Sequence, residues 1–272
     1  MIQRSRYPIA VAVMLLAATA LEAHDLFLRL DSFYVMPNST ASIRALNGTF
    51  SSSENSVTTD RLRDLSVVSP SGRQHPDTAM WSSKGDTSVF TLKTGASGTY
   101  VVGASLKPRE ITLKAADFNT YLSEDGIPDV LAARRNKGEL GKDATERYAK
   151  HIKAIVQVGS ARTQEFSTEL GYPAEIVPLE NPYSLKRGAA LRVRTLVDGK
   201  PAANQLVVTG GRTAGHKRQP ERRVRSDASG IARVRIAGPG QWYVKFISMT
   251  PYQGAEKIDY ESKWATLTFE IR

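Results

Sequence analysis

Cysteine is missing from this chain of 272 residues. Its absence excludes disulfide bonds and thiolate chemistry, so the folded protein must be held together by side-chain packing. Exported proteins of animal cells commonly contain disulfides, and a chain without them fits a bacterial periplasm better. Hydrophobic residues make up 41% of the chain, which is ordinary for a globular protein and far from the composition of a disordered one. We therefore expect a folded protein without covalent cross-links.

The chain also lacks an apolar run long enough to span a membrane. Residues 9–21 form an apolar run of 13 residues, whereas a spanning helix needs about 20. Two arginines precede this run and small residues follow it, which is typical of a secretory signal peptide. We predict a signal peptide at residues 1–23, a periplasmic mature protein and no transmembrane span after cleavage. Cleavage after Ala20 and cleavage after Ala23 both fit the small-residue rule, and an uncleaved anchor is the alternative.

Local signatures of catalysis are absent as well. The sequence contains no serine nucleophile elbow, phosphate-binding loop, dinucleotide fingerprint or HExxH motif. No two histidines stand at His-x-His or His-x-x-x-His spacing, so the sequence offers no local metal-binding pair. We therefore predict a protein that is not an enzyme and that acts by binding.

The net charge of +10 is spread along the chain, and its densest basic stretch is residues 212–225. Nucleic-acid-binding segments usually place basic residues on a helix or among aromatics, whereas this stretch has no aromatic residue and contains Pro220. An exported protein also does not meet cytoplasmic nucleic acid, so we predict no nucleic-acid partner. The stretch is predicted to be a solvated loop between two strands. The alternative is attraction to anionic lipid or to an acidic partner.

Alternating polar and apolar residues, separated by turns rich in glycine, occupy residues 24–107 and 172–272. This period of two is typical of antiparallel strands. We predict a mainly β protein with two antiparallel β-sandwich domains of immunoglobulin-like or prealbumin-like architecture, one in each part. Trp242, in the second domain, is predicted to be buried.

Residues 108–171 are predicted to form a helical insertion and linker without strands in its central part. Phe118 lies on the apolar face of a first helix, and a second short helix is expected from Pro128. A third helix is predicted from Asp143, because Asp143 and Glu146 form a capping pair that precedes apolar residues at helical spacing.

His24 and Asp25 are the candidate metal ligands of the sequence. If the signal peptide is cut after Ala23, His24 presents a free α-amine and an imidazole that can chelate one Ni²⁺, Co²⁺ or Cu²⁺ ion. Asp25 could add an oxygen ligand or accept a hydrogen bond at the site. Cleavage after Ala20 would destroy this chelate and leave His24 as an ordinary residue at the start of a strand. The remaining histidines are predicted to be surface or structural residues: His75, His151 and His216.

Several segments of the mature chain carry a family resemblance: "AHDLFL", "FNTYLSEDGI", "ERYAKHIKAIVQVG", "LGYPAEIVPLENPYSLKRG" and "YESKWATLTFEI". In this order they resemble a bacterial exported family of uncertain role that is often labelled nickel transport or nickel uptake. The C-terminal segments "SDASGIARVRI" and "GQWYVKF" resemble carboxypeptidase-regulatory and collagen-adhesin B-type sandwich domains. One departure is Ser248, which stands before Met249 where many relatives carry a histidine, so a second imidazole is missing here.

The resemblance implies a periplasmic protein that binds or delivers a transition metal of the nickel or cobalt type, beside an inner-membrane metal importer. The implied ligands are His24 and Asp25. The alternative hypothesis is a non-enzymatic envelope binding module that recognises a protein or a glycan without metal. The metal content of the mature protein distinguishes these two hypotheses.

Overall fold

The structure is a computed structural model that describes residues 24–186 and 188–272. The predicted signal peptide and both predicted cleavage positions lie outside these residues. The strands are β1 Asp25–Arg29, β2 Tyr34–Val35, β3 Thr40–Gly48, β4 Leu62–Ser69, β5 Gly72–Gln74, β6 Trp81–Lys84, β7 Thr87–Lys93, β8 Gly98–Leu106, β9 Arg109–Leu113, β10 Ala144–Val158, β11 Ala174–Pro178, β12 Ala190–Val197, β13 Lys200–Pro201, β14 Leu206–Thr213, β15 Arg218–Arg225, β16 Ile231–Arg235, β17 Gly240–Pro251 and β18 Tyr260–Ile271. The helices are α1 Ala115–Glu124 and α2 Pro128–Asn136, with short 3₁₀ turns at Thr59–Arg61, Thr78–Met80, Gln164–Ser167 and Pro182–Ser184.

Three sheets contain these strands, and most neighbouring strands are antiparallel. The largest sheet has the order β15-β14-β17-β18-β10-β8-β4-β5, and β2 and β9 also pair with β10. A second sheet has the order β1-β3-β7-β6, and a third joins β11, β12, β13 and β16. The prediction of a mainly β protein with antiparallel sheets is therefore confirmed.

Two of the three predicted helices are present. The first, α1, buries Phe118, Tyr121 and Leu122 on one face, as the spacing of its apolar residues predicted. The second, α2, has a proline at its first position, where the missing backbone N–H costs nothing. Among the described residues, no helix is long and apolar enough to cross a membrane.

The predicted helix from Asp143 is wrong, because Ala144–Val158 forms strand β10. This strand pairs antiparallel with β8 and β9 and parallel with β18 and β2. It is buried on both faces along most of its length, and such a strand shows no alternation, so its apolar residues also match a helical period. Asp143 nevertheless serves a helix: its Oδ1 accepts a hydrogen bond from the Ala115 backbone N–H (3.0 Å), at the start of α1.

The basic stretch is a strand rather than the predicted loop. Residues 218–225 form β15, an exposed edge strand of the large sheet, and only residues 214–217 form the turn before it. Arg223 donates a hydrogen bond to the carbonyl of Glu124 at the end of α1 (2.9 Å). Part of the positive charge therefore attaches the helices to the sheet, where a charged edge also discourages pairing with other chains.

Strands from both predicted sandwich segments meet in the large sheet. β4, β5 and β8 come from residues 24–107, β14, β15, β17 and β18 come from residues 172–272, and β10 joins the two groups. One cluster of buried hydrophobic residues likewise contains members of both segments, among them Leu26, Trp242 and Ile271. The boundaries between the predicted domains stay a prediction.

Candidate functional site

His24 lies immediately before β1, at the start of a strand as one of the two sequence interpretations expects. Its Nε2 atom is 3.0 Å from Oε2 of Glu54, and the His24 side chain is 17% exposed. Glu54 follows β3, the partner strand of β1, and its backbone N–H donates to the Asn47 carbonyl (2.9 Å). The loop after β3 therefore brings a carboxylate to the imidazole from a position 30 residues further along the chain.

A lysine of strand β10 binds the backbone of His24. Lys150 donates a hydrogen bond to the His24 carbonyl oxygen and another to Oδ1 of Asn47 (3.1 Å). Its ammonium group also lies 5.3 Å from the centre of the Trp264 ring. Burial lowers the pKa of Lys150 to about 8, because water no longer stabilises the charge. This lysine attaches the His24 backbone to strand β10.

Asp25 forms an ion pair with Lys245, which lies on β17 and is 6% exposed at its side chain. The same ammonium nitrogen lies 3.5 Å from Oδ1 of Asp125, the residue after α1. Burial by itself lowers the pKa of Lys245, but the charges of Asp25 and Asp125 outweigh it and raise the pKa overall. Oδ1 of Asp25 is buried and accepts no hydrogen bond among the described residues. The structure thus places Asp25 opposite a lysine.

Asp125 has a pKa raised to about 7, first by burial and then by the negative charge of Asp25, while Lys245 opposes the shift. The sequence assigned the Glu124-Asp125 pair to a turn that ends a helix, and Asp125 does cap the end of α1. The sequence could not predict that Asp25, 100 residues earlier in the chain, lies close to Asp125. The two aspartates share one ammonium group.

We expect Asp125→Asn to flatten the dependence of stability on pH. Because the pKa is higher in the folded chain than in the unfolded chain, the folded state loses stability as pH rises from about 4 to about 7. Each pKa unit corresponds to about 1.4 kcal/mol, and the 24% exposure of the Asp125 side chain reduces the effect. Between pH 4 and pH 8, the free energy of unfolding of the variant should therefore fall by about 1–2 kcal/mol less than that of the parent.

The measurement is urea unfolding at several pH values with a metal chelator present. Asp117→Asn, which changes an exposed aspartate of the same helix, is the matched control and should follow the parent. Parallel pH curves for the parent and Asp125→Asn would contradict the raised pKa.

A cavity of about 650 Å³ opens beside these groups and is lined by His24, Asp25, Glu54, Asp125 and Lys245 among others. Part of its wall is aromatic, formed by a separate buried cluster: Phe27, Phe50 and Tyr243. Their ring centres are 4.9–5.3 Å apart. The Tyr243 hydroxyl donates a 2.6 Å hydrogen bond to Glu221, another lining residue. The volume falls within the range typical of small-molecule sites.

The side chains can supply two donors to a transition metal at His24. They are the imidazole and the Glu54 carboxylate, both of them ligand types that Ni²⁺, Co²⁺ and Cu²⁺ accept. Within residues 24–186 and 188–272, no group of three or more His, Asp or Glu side chains is arranged to hold a metal ion. A tight site therefore needs further donors from the backbone of His24 or from solvent.

The other three histidines lie apart from His24, in the structural or surface settings predicted for them. His75 is mostly exposed and its Nδ1 is 2.8 Å from Oδ1 of Asp64. His151 is buried in β10, 2.9 Å from the Ser105 hydroxyl, and burial lowers its pKa to about 3. His216 is exposed in the turn before β15.

Solved structures similar to the chain include a tetra-tandem repeat from the extending region of a large adhesion protein, 12% identical, covering 91% of this chain and 49% of that one, with a TM-score of 0.22. E. coli alpha-2-macroglobulin is 10% identical over 91% of this chain and 14% of its own, with a TM-score of 0.21. A segment of two fibronectin type-III domains from chicken tenascin is 15% identical over 89% of this chain and 97% of its own, with a TM-score of 0.19. The chain spans less than two thirds of the first two structures.

No curated protein matches the sequence. A family model described as "Domain of unknown function (DUF4198)" matches residues 21–250. The match includes strand β1 and all the residues that line the first cavity, from His24 to Lys245.

Proposed function

The chain belongs to the DUF4198 family, whose description assigns no activity, and from its own residues we propose that it binds a divalent transition-metal cation at His24. The observation that carries the proposal is the contact between the His24 imidazole and the Glu54 carboxylate at the wall of a cavity. An imidazole and a carboxylate side by side form a two-donor set for Ni²⁺, Co²⁺ or Cu²⁺.

A chain that begins at His24 supplies a third donor. Its α-amine and its imidazole belong to one residue and can close a small chelate ring around the ion, with Glu54 adding an oxygen. The hydrogen bond from Lys150 to the His24 carbonyl supports this arrangement, since it fixes the backbone from which both nitrogens project. Ligands held in place before binding lose less entropy when the metal arrives.

Asp25 acts in this proposal as the partner of Lys245 and not as a metal ligand. Transfer of the Asp25 carboxylate to a metal would leave the nearly buried Lys245 ammonium with Asp125 alone. Removal of one partner from a buried ion pair is strongly unfavourable. The carboxylate donor is therefore Glu54, whose side chain is half exposed and already contacts the His24 imidazole.

The proposal includes a periplasmic location and transfer of the metal to an inner-membrane importer. The resemblance to exported proteins labelled nickel transport and the signal-peptide pattern of residues 1–23 support both parts. A protein that delivers a metal also needs a site that can release the ion. A site made of one histidine and one half-exposed carboxylate suits release better than a closed cage.

Calorimetric titration of Ni²⁺, Co²⁺ and Cu²⁺ into protein that begins at His24 tests the proposal. We expect His24→Ala and a form with one extra residue before His24 to weaken binding at least tenfold, and Glu54→Gln to weaken it less. Affinity should fall as pH drops, because the imidazole and the amine must each lose a proton to bind the metal. His75→Ala is the matched control, since His75 contacts a carboxylate elsewhere, and it should bind like the parent.

Equal affinities for the parent, His24→Ala and the extended form would remove His24 from the site. No binding of any of the three ions would favour the second candidate, an envelope module that binds a protein or a glycan without metal. The size of the 650 Å³ cavity favours this alternative, because a single metal ion fills only a small part of it.

A further inference from the structure

A second cavity, of about 420 Å³, lies on the other side of His24. Its lining combines three basic residues, Arg61, Arg109 and Lys150, with two aromatic ones, Tyr148 and Trp264. Apolar side chains from Val57, Leu106 and Ile111 complete the apolar part of its wall. The volume is suited to a small organic molecule.

The basic residues of this cavity have no acidic partners. None of Arg61, Arg109 and Lys150 forms a salt bridge with a carboxylate of the described residues. Lys150 instead donates to two neutral oxygens, the His24 carbonyl and the Asn47 side chain. Buried cations are normally paired with anions, so this cavity holds basic groups that form no direct ion pair with the described residues.

Arg61 shows the imbalance most clearly. It is 9% exposed, and its Nε–H group is buried without a hydrogen-bond acceptor among residues 24–186 and 188–272. Its Nη2 atom donates to the Lys107 carbonyl (2.9 Å), so the guanidinium is held in place while Nε stays unpaired. Burial lowers the pKa of Arg61, and the nearby charge of Arg109 lowers it further. A buried donor without an acceptor is costly, so the hydrogen bonds of this guanidinium are incomplete.

Glu146 is the acidic residue among those that line the cavity, and it is occupied elsewhere. Its Oε1 atom accepts hydrogen bonds from the Tyr121 hydroxyl (3.1 Å) and from the Ser262 hydroxyl. Burial raises the pKa of Glu146. Three basic residues against one carboxylate leave the lining positive.

We propose that this cavity binds a small organic anion, whose carboxylate or similar oxyanion group contacts Arg61 and Arg109 and whose apolar body lies against Tyr148 and Ile111, the half-buried apolar residues of the lining. A guanidinium presents parallel N–H groups that match the two oxygens of a carboxylate. Arg109 is exposed and stands at the rim, where it attracts the anion, while Arg61 is the buried partner that receives it. The aromatic and apolar side of the lining excludes a purely inorganic anion as the preferred ligand.

His24 lines both cavities, but the two arginines and Glu54 do not. Arg61 and Arg109 line the second cavity only, and Glu54 lines the first only. Lys150 contributes to both, through its bond to the His24 carbonyl, so it is unsuitable for a test that must separate them. Variants of the two arginines can therefore test anion binding without removing a proposed metal donor.

The test is titration of benzoate, benzyl alcohol and inorganic phosphate into the mature protein in chelator, followed by calorimetry and by tryptophan fluorescence. We expect benzoate to bind at least tenfold more tightly than either other compound. Arg61→Gln and Arg109→Gln should each weaken benzoate binding at least fivefold, and Arg109→Gln, at an exposed position, should fold normally. Arg212→Gln, which changes an arginine of the first cavity, is the matched control and should bind benzoate like the parent.

Glu54→Gln changes a proposed metal donor that lines only the first cavity. It should keep its benzoate affinity even where it binds metal more weakly, so the two proposals fail independently. Absence of benzoate binding, or equal affinities for benzoate and benzyl alcohol, would overturn the anion site. Unchanged benzoate affinity in the folded Arg109→Gln variant would also overturn it.

Discussion

Lys153→Met is expected to lower the free energy of unfolding by about 3–5 kcal/mol, because it removes one partner of a buried ion pair. Lys153 Nζ lies 2.8 Å from Oε1 of Glu175, and the two side chains are only 2% and 1% exposed. Without the lysine, the Glu175 carboxylate has no cation beside it in a site that is closed to water. Methionine retains the unbranched apolar stem, so the effect reports the missing charge and not a cavity.

Glu175 also stabilises the connection between β10 and β11, so the loss of the ion pair should affect this connection as well. Its carboxylate accepts hydrogen bonds from the backbone N–H groups of Leu170 (2.6 Å) and Gly171 (3.1 Å). Lys153 Nζ donates in addition to the Thr168 carbonyl (3.2 Å). The pair therefore ties the segment before β11 onto strand β10.

Urea unfolding of three variants measures the effect. Lys153→Met combined with Glu175→Gln should be destabilised by less than the sum of the two single variants, because the second change removes the unpaired charge that the first one creates. Lys114→Met is the matched control: Lys114 pairs with Asp143 on the surface, with side chains 81% and 46% exposed, and such pairs contribute little. Unfolding of Lys153→Met at the parent urea concentration would show that the pair does not stabilise the fold.

The sequence predicted the strands of the two β-rich segments and failed for strand β10. Period-two alternation identified the strands of residues 24–107 and 172–272, and the Phe118 face identified α1. β10 is central in the large sheet, so both of its faces are covered and the alternation disappears. The capping pair also misled the helical interpretation, because Asp143 accepts a hydrogen bond at the start of α1 and Glu146 is buried within β10.

Of the candidate site, sequence analysis identified the residue that starts it and not the residues that surround it. His24 lies at a cavity wall, but Glu54, Lys150, Lys245 and Asp125 reach it or its neighbour from four other parts of the chain. Such contacts depend on strand pairing, which local patterns do not determine. One signal was available: a single lysine inside an apolar strand segment, as in "YVKFI" and "HIKAI", indicates a buried charge with a partner.

Loss of the Trp242 side chain should destabilise the whole chain and not only its C-terminal part. Trp242 is 2% exposed, as predicted, and its indole Nε1 donates to the Gly238 carbonyl (3.0 Å). Trp242→Ala should lower the free energy of unfolding by about 3–5 kcal/mol through the cavity it leaves. The buried cluster that contains Trp242 also contains Leu26 and Trp81 from the N-terminal segment, so both segments should unfold in one transition.

Unfolding of Trp242→Ala in urea, followed by circular dichroism and by the fluorescence of the two remaining tryptophans, Trp81 and Trp264, tests both expectations. Coincident curves shifted to lower urea are expected for a single cooperative unit. Met36→Ala, at a side chain 73% exposed, is the control and should stay within about 0.5 kcal/mol of the parent. Two separate transitions, with the Trp81 signal unaffected by the substitution, would instead show that the two segments unfold as independent sandwich domains. In that case the shared sheet would not couple the loss of a core residue in one segment to the stability of the other.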